Sequence, residues 1–252
     1  MSKLAVKHAL ILAAGRGRRL MPFTKDMPKC LVKVGGKPIL FYQLRALEMN
    51  GVENVTLVTG YLAGEIEKYA EKKFPRFDFK FVHNDRFEDT NDIYSLYLAR
   101  RHLNGNVLVL DSDVLFHPEI VLKILREEKS AVAFQRAVCG EEEMKVLLGS
   151  VQSVLQLSKA MSPALAAGEF MGVSLFQEDF CRELVSALEE LIKDGKINID
   201  REAAIEKVIA GGKPLYALDI SEYPAIEIDF PEDLQKAEKE VLPIIISQFY
   251  DA

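Results

Sequence analysis

Apolar and polar positions switch between two periods over the first 115 residues. His8–Ala13, read HALILA, is a short continuous apolar run that leads into Gly15. That pattern predicts a buried parallel strand feeding a glycine-rich turn. Residues 38–50 carry apolar positions at helical spacing, open on Pro38 and stop at Asn50-Gly51, which predicts a helix. Residues 55–59 and 79–82 predict strands on either side of an amphipathic helix over 62–74, which halts at Pro75. Residues 92–103 predict a helix, with Asp89, Thr90 or Asn91 as its cap. Residues 107–110 predict a strand that runs into Asp111-Ser112-Asp113. Alternation of strands and helices in this order predicts a wound α/β sheet.

The pattern then changes. Residues 131–133, Lys145–Leu148, 151–156 and 171–175 read as short strands with few helices between them. The second and third of these flank Gly149-Ser150 and predict a hairpin. Glu178–Lys193 and 201–209 predict helices, 215–218 and 226–228 strands, and 231–240 a helix. The apolar run over 241–246 contains Pro243 and reads as a docked tail. No repeat, low-complexity linker or break interrupts the chain. The expected fold is α/β: a single Rossmann-like domain over 1–252, with a mixed, mainly parallel sheet flanked by helices.

Composition narrows the class. A chain of 252 residues that is 49% hydrophobic supports one large α/β domain or two small ones. Its 28% charged content argues against long disorder. Lysine and arginine total 32 against 38 acids, for a net charge of −6. That sign opposes a coat on nucleic acid or on an anionic membrane, though not a local basic site. Cys30, Cys139 and Cys181 are odd in number and lack zinc spacing, so they read as reduced thiols in a cytoplasmic protein. The apolar run over 4–14 is interrupted by Lys7 and His8, and is too short and polar for a signal peptide. No run reaches the ~18 apolar residues of a membrane span. His8, His83, His102 and His117 form no spaced ligand set and read as structural or surface residues.

The chemistry concentrates in residues 12–37, LAAGRGRRLMPFTKDMPKCLVKVGGK. Ala13, Ala14, Gly15 and Gly17 follow the first strand. Arg16, Arg18, Arg19, Lys25 and Lys29 then cluster against Asp26 alone. Glycines let backbone N–H groups approach phosphate oxygens, and cations neutralise a triphosphate and its departing pyrophosphate. The pattern is neither GxxxxGK[ST] nor GxGxxG, because Leu20 stands where the last glycine would.

Taken together, Leu12-Ala13-Ala14-Gly15-x-Gly17-x-Arg19-Leu20, Thr24-x-x-x-Pro28-Lys29, Leu31-Val32 and Gly36-Lys37-Pro38-Ile39 resemble the signature of the nucleoside-triphosphate transferases. That family couples a nucleotide to a sugar phosphate or phosphoalcohol. Arg18 stands where the usual form has threonine. The resemblance implies phosphate contact by Arg19 and Lys29, and backbone contact to the base from Ala13, Ala14 and Gly15. It also implies a nucleotide-binding part over 1–115, and an acceptor-binding part with a C-terminal helix over 116–252.

Asp111 and Asp113 fall on one side of a strand end, where open α/β sheets bind ligands. Asp229, in AIEIDFPEDL, follows another strand. Left to themselves, Asp113 could be a turn residue and Asp229 a cap before Pro231. The resemblance implies that Asp113 and Asp229 hold Mg2+ against the nucleotide, with Asp111 behind them in the nucleotide site.

Residues 89–101, DTNDIYSLYLARR, offer Asn91 and Ser95 to a base edge. They resemble the CTP-using cytidylyltransferases for phosphocholine and for inositol 1-phosphate. That likeness implies CTP and a small phosphorylated alcohol as partners. Lys145 or Lys159 would meet the acceptor phosphate, and Glu169 the acceptor's polar body. A trimethylammonium group favours an aromatic cage. The chain has no Trp, although Tyr94, Tyr97, Phe170 and Tyr223 could substitute. A cyclitol needs carboxylates and amides, which favours inositol 1-phosphate. Phosphocholine, and a sugar 1-phosphate with another nucleotide, are the alternatives. A homo-oligomer is compatible with the sequence.

Overall fold

The computed structural model describes residues 6–249, so the first two residues of the apolar run over 4–14 lie outside it. In chain order, β1 is His8–Ala13, β2 Lys33–Val34, β3 Lys37–Pro38, α1 Ile39–Met49, β4 Asn54–Thr59, α2 Ala63–Lys73, β5 Asp78–His83 and α3 Asp92–Leu98. Then come β6 Val107–Asp111, β7 Val114–Phe116, α4 Pro118–Leu125, β8 Ala131–Gln135, β9 Lys145–Leu148, β10 Val154–Ser158 and β11 Gly168–Phe176. The chain continues with α5 Glu178–Lys193, α6 Glu202–Ala210, β12 Tyr216–Asp219, β13 Ala225–Glu227, α7 Pro231–Lys236 and α8 Leu242–Phe249.

The main sheet has nine strands, with β10-β9-β11-β6-β1-β4-β5 in order and β8 and β12 branching from β11. β1 pairs in parallel with β4 and with β6, and β4 pairs in parallel with β5. β11 then runs antiparallel to β6. The sheet is therefore mixed, and parallel where β1 and β6 deliver their carboxyl ends to one edge.

Strand alternation divides the core. Ile11, Leu57 and Leu108 face α1, α2 and α4 through Leu44, Ile66 and Ile120. Leu10, Val58 and Val109 face the other layer, where Ile93, Leu184 and Ile205 come from α3, α5 and α6. A third cluster joins Leu20 and Val34 to Ile228, Leu242 and Ile245. The expected docked tail is thus a helix whose apolar face lies behind the glycine-rich loop. Pro243 stands just after the wide turn Ala237–Val241 that carries the chain into α8.

Several boundaries differ from expectation. The strand expected over 151–156 begins at Val154, because Val151 and Gln152 adopt left-handed φ values of 55° and 58°. The expected hairpin forms, with β10 antiparallel to β9. The helix expected over 92–103 ends at Leu98, and a separate turn covers Arg100–His102. Asn91 is its cap, accepting from the Asp92 N–H at 2.8 Å. The helix expected over 231–240 ends at Lys236 and passes through a wide turn, Ala237–Val241, into α8. α4 was not anticipated; Pro118 opens it and His117 Nδ1 accepts from the Glu119 N–H. All three cysteines are buried thiols. Among the described residues no helix is long and apolar enough to cross a membrane.

Candidate active site

The carboxyl ends of β1 and β6 open into a cavity of about 420 Å3. Gly17 takes a left-handed backbone (φ 65°), turning the chain into a short helical turn over Arg18–Leu20. Thr24, wholly buried, donates its hydroxyl to the Gly17 carbonyl at 2.7 Å and pins the turn. A Cβ at Gly17 would lie 2.9 Å from the Lys29 side chain, so glycine leaves the space along which the Lys29 stem runs. Pro28 precedes a second short turn, Lys29–Leu31, which is anchored by buried Cys30 and Leu31.

The basic loop meets the acidic residues across this cavity. Lys29 Nζ lies 2.7 Å from Asp113 Oδ2 and 2.5 Å from Asp229 Oδ1. Arg19 donates to Asp229 Oδ2 at 2.6 Å and to Glu142 at 3.3 Å. Burial opposes the Lys29 charge, but Asp113 and Asp229 outweigh it and raise the pKa. Burial likewise opposes the Asp229 charge, and Lys29 and Arg19 overcome it and hold the carboxyl below its ordinary range. Asp113 and Asp229 are adjacent because β7 and β13 pair antiparallel and the Ile228 N–H donates to the Asp113 carbonyl at 3.0 Å.

Glu227 joins them: one oxygen each of Asp113, Glu227 and Asp229 lies within 4.8 Å of the others. Burial, then Asp113 and Asp229, push the Glu227 pKa up to about 9. Asp113 Oδ1 is buried and has no hydrogen-bond partner. An orphaned carboxylate oxygen beside two further acids fits a hard divalent cation, which takes oxygen ligands. The sequence had Glu227 in plain view, two residues before Asp229 on a strand, the same spacing as Asp111 and Asp113.

Behind this cluster stands Arg201, a residue with no local sequence signal. It is 3% exposed. Its guanidinium bonds Asp111 through both oxygens, at 2.5 and 2.7 Å, and Asp92 at 2.8 Å. Glu202 lies 3.3 Å from it. Burial lifts Asp111 to about 6 although Arg201 pulls it down, and lifts Glu202 to about 8. Gly172, with φ 64°, makes room: a Cβ there would lie 2.7 Å from Asp111 Oδ2. Gln43, wholly buried on α1, donates to the carbonyls of Asp111 and Val114 at 2.7 and 2.8 Å.

Of the residues singled out from the sequence, Ala13, Ala14, Gly15, Gly17, Arg19 and Lys29 line the cavity, as do Asn91, Ser95, Asp111, Asp113, Lys159 and Asp229. Ser95 Oγ accepts from Asn84, and Asn91 donates to Asp200 at 2.9 Å. Two residues fall elsewhere. Lys145 is wholly buried and donates to the carbonyls of Glu141, Glu143 and Lys159 at 3.0, 3.1 and 2.8 Å, so all three of its hydrogens are spent on the backbone. It is a structural tie, not a ligand for an incoming phosphate. Glu169 stands off the cavity wall; burial, then Glu143 and Asp233, raise its pKa to about 7. Of the four candidate cage aromatics only Phe170 lines the cavity. Tyr94 packs tilted against Tyr97, and Tyr223 stacks with His117.

A glycine and arginine loop thus faces paired aspartates at the edge of a wound sheet. The chain belongs to the family of the MobA-like NTP transferase domain, which it matches over residues 9–198. Among curated relatives, choline-phosphate cytidylyltransferase of Streptococcus pneumoniae (strain ATCC BAA-255 / R6) is 40% identical over 105 residues, covering 42% of this chain and 44% of that protein. CMP-5'-(3-aminopropyl)phosphonate synthase of Streptomyces rubellomurinus is 31% identical over 245 residues, covering 92% of this chain and 38% of that protein. The chain thus spans less than half the length of these two relatives. Among solved structures, the inositol-1-phosphate CTP transferase from T. maritima superposes with a TM-score of 0.80 at 22% identity, covering 96% of this chain and 97% of that one. CTP:phosphocholine cytidylyltransferase from S. pneumoniae superposes with a TM-score of 0.77 at 24% identity, covering 93% and 99%. Both share the fold.

Proposed function

We propose that the protein is a cytidylyltransferase that moves CMP from CTP to a small phosphorylated alcohol, inositol 1-phosphate foremost, and releases pyrophosphate. The observation that carries this reading is the meeting of Lys29 and Arg19 with Asp113 and Asp229 across one cavity. The names of the relatives, several of them cytidylyltransferases, support CTP as the donor.

In this reading an acceptor phosphate oxygen attacks the α-phosphorus of CTP in line, and the bond to pyrophosphate breaks. The acceptor phosphate is already an anion, so no side chain need remove a proton. Ala13, Ala14, Gly15 and Gly17 present backbone to the nucleotide, and Asn91 and Ser95 meet the base edge. Arg19 and Lys29 neutralise charge on the leaving phosphates, and Lys159 receives the acceptor phosphate in place of Lys145. Asp113 and Asp229, with Glu227, would hold Mg2+, which would supply charge neutralisation on phosphate oxygens. Phe87 and Phe170 are the aromatic residues on the cavity wall, and Asp200 and Glu202 beside them support a hydroxylated acceptor.

A pyrophosphate-release panel over four nucleotides, crossed with inositol 1-phosphate, phosphocholine and sugar 1-phosphates, tests this. Release with CTP and inositol 1-phosphate at least tenfold above the other pairs is expected. Turnover confined to UTP, GTP or dTTP with a sugar 1-phosphate would overturn the assignment.

A further inference from the structure

The Lys29 ammonium stands between the two aspartates expected to bind metal. It lies 2.7 Å from Asp113 and 2.5 Å from Asp229, and its side chain is only 12% exposed. A cation at those distances in a partly desolvated site is a strong electrostatic occupant. A divalent ion arriving alone must compete with the ammonium for both aspartates and leaves it Glu227 as the remaining acid of the cluster. A divalent ion arriving with a triphosphate brings a further anion along. The stem already lies against Gly17, whose missing Cβ opens the side toward the phosphate loop. Rotation about the side-chain bonds therefore moves the charge from aspartate to phosphate without moving the backbone.

We propose that Lys29 is the internal counter-ion of this site, excluding bare divalent cations and admitting them only together with the nucleotide. This selectivity rests on the nucleotidyltransferase reading and is distinct from the contact Lys29 makes to phosphate during transfer. It makes metal and nucleotide binding mutually dependent, since each draws Lys29 away from what it blocks for the other.

The test uses Mn2+ as the probe on the full chain, stripped of metal, with free Mn2+ followed by electron paramagnetic resonance. Without nucleotide, Lys29→Met is expected to bind Mn2+ at least tenfold more tightly than the wild type. Equal affinities would overturn the proposal. Should Lys29→Met fail to fold, the thermal shift of the wild type decides instead. Mn2+ alone is expected to leave the melting temperature unchanged. Mn2+ with a non-hydrolysable CTP analogue is expected to raise it by more than the sum of the separate effects. Stabilisation by Mn2+ alone equal to that of the pair would overturn the proposal. A protein that ignores the CTP analogue yet binds Mn2+ tightly only as Lys29→Met keeps the counter-ion and loses the nucleotide reading, so the two failures are separable.

Discussion

Arg201 holds Asp111 by both carboxylate oxygens, at 2.5 and 2.7 Å, across 90 positions of sequence. The same guanidinium reaches Asp92 at the start of α3. One buried arginine therefore ties the helix that offers Asn91 and Ser95 to the strand end that carries Asp113. Arg201→Met should destabilise the fold by about 3–5 kcal/mol, because the half-buried carboxylates of Asp92 and Asp111 lose their counter-charge and buried Glu202 loses its neighbour. Arg201→Lys restores the charge without the planar fork and should fall between. Urea denaturation measures both, and a loss below about 1 kcal/mol in Arg201→Met would contradict the assigned role.

Lys29→Ala should lower turnover by on the order of 10²-fold, the loss typical of a well-placed charge contact to a developing anion. From sequence alone its stability would be expected to change far less. The contacts to Asp113 and Asp229 sharpen that expectation: without metal the variant leaves two partly buried carboxylates facing each other. Calorimetry in chelator should show a lowered melting temperature, restored by Mg2+. Near-wild-type turnover would remove Lys29 from the chemistry.

Gln43 supports the carboxylate cluster from beneath. Its amide spans the carbonyls of Asp111 and Val114, and its own oxygen is buried without a partner. Gln43→Met fills similar space and donates nothing, so it should cost about 1–3 kcal/mol of stability. Because the turn then slackens, Mn2+ affinity measured with bound nucleotide should fall as well. Unchanged Mn2+ affinity would reduce Gln43 to a packing residue.

Glu202 predicts a pH dependence. Burial raises its pKa from the ordinary value of 4.5 to about 8. The folded chain therefore holds this proton more tightly than the unfolded chain. Its contribution to stability is fullest below about 4.5, declines as pH rises to about 8, and is flat beyond. Glu202→Gln has no proton to lose and should gain on the wild type through that window. Denaturation midpoints at about pH 5 and about pH 8 decide, and parallel slopes in the two proteins would refute the shift.

Periodicity made much of this architecture legible. β1, β9 and α5 were expected with the bounds they have, because a continuous apolar run, a hairpin flank and a long amphipathic face each leave one solution. The strand expected over 151–156 starts late, at Val154, because valine favours strands and nothing local announces the left-handed turn at Val151. The glycine-rich loop and the two aspartates that line the cavity stood out because glycines, cations and strand-end acids occur in recognisable spacing. Arg201 was not, since its partners come from α3, β6 and α6, and a tertiary pairing leaves no periodic trace. Lys145 misled for the opposite reason: its short motif resembled a binding lysine, while its burial made it a brace.

The small ribbon of β7 and β13 has a consequence in time. It brings Asp229 to Lys29 from 200 positions further along the chain. As a polypeptide is made from its amino end, the parallel strands and the cationic loop emerge long before that aspartate. Until the ribbon closes, Lys29 has only one of its two aspartates, and any early fold is a scaffold without that pair. Completion of the site thereby waits on synthesis of β13, so a chain halted before it lacks the pair on which chemistry would depend.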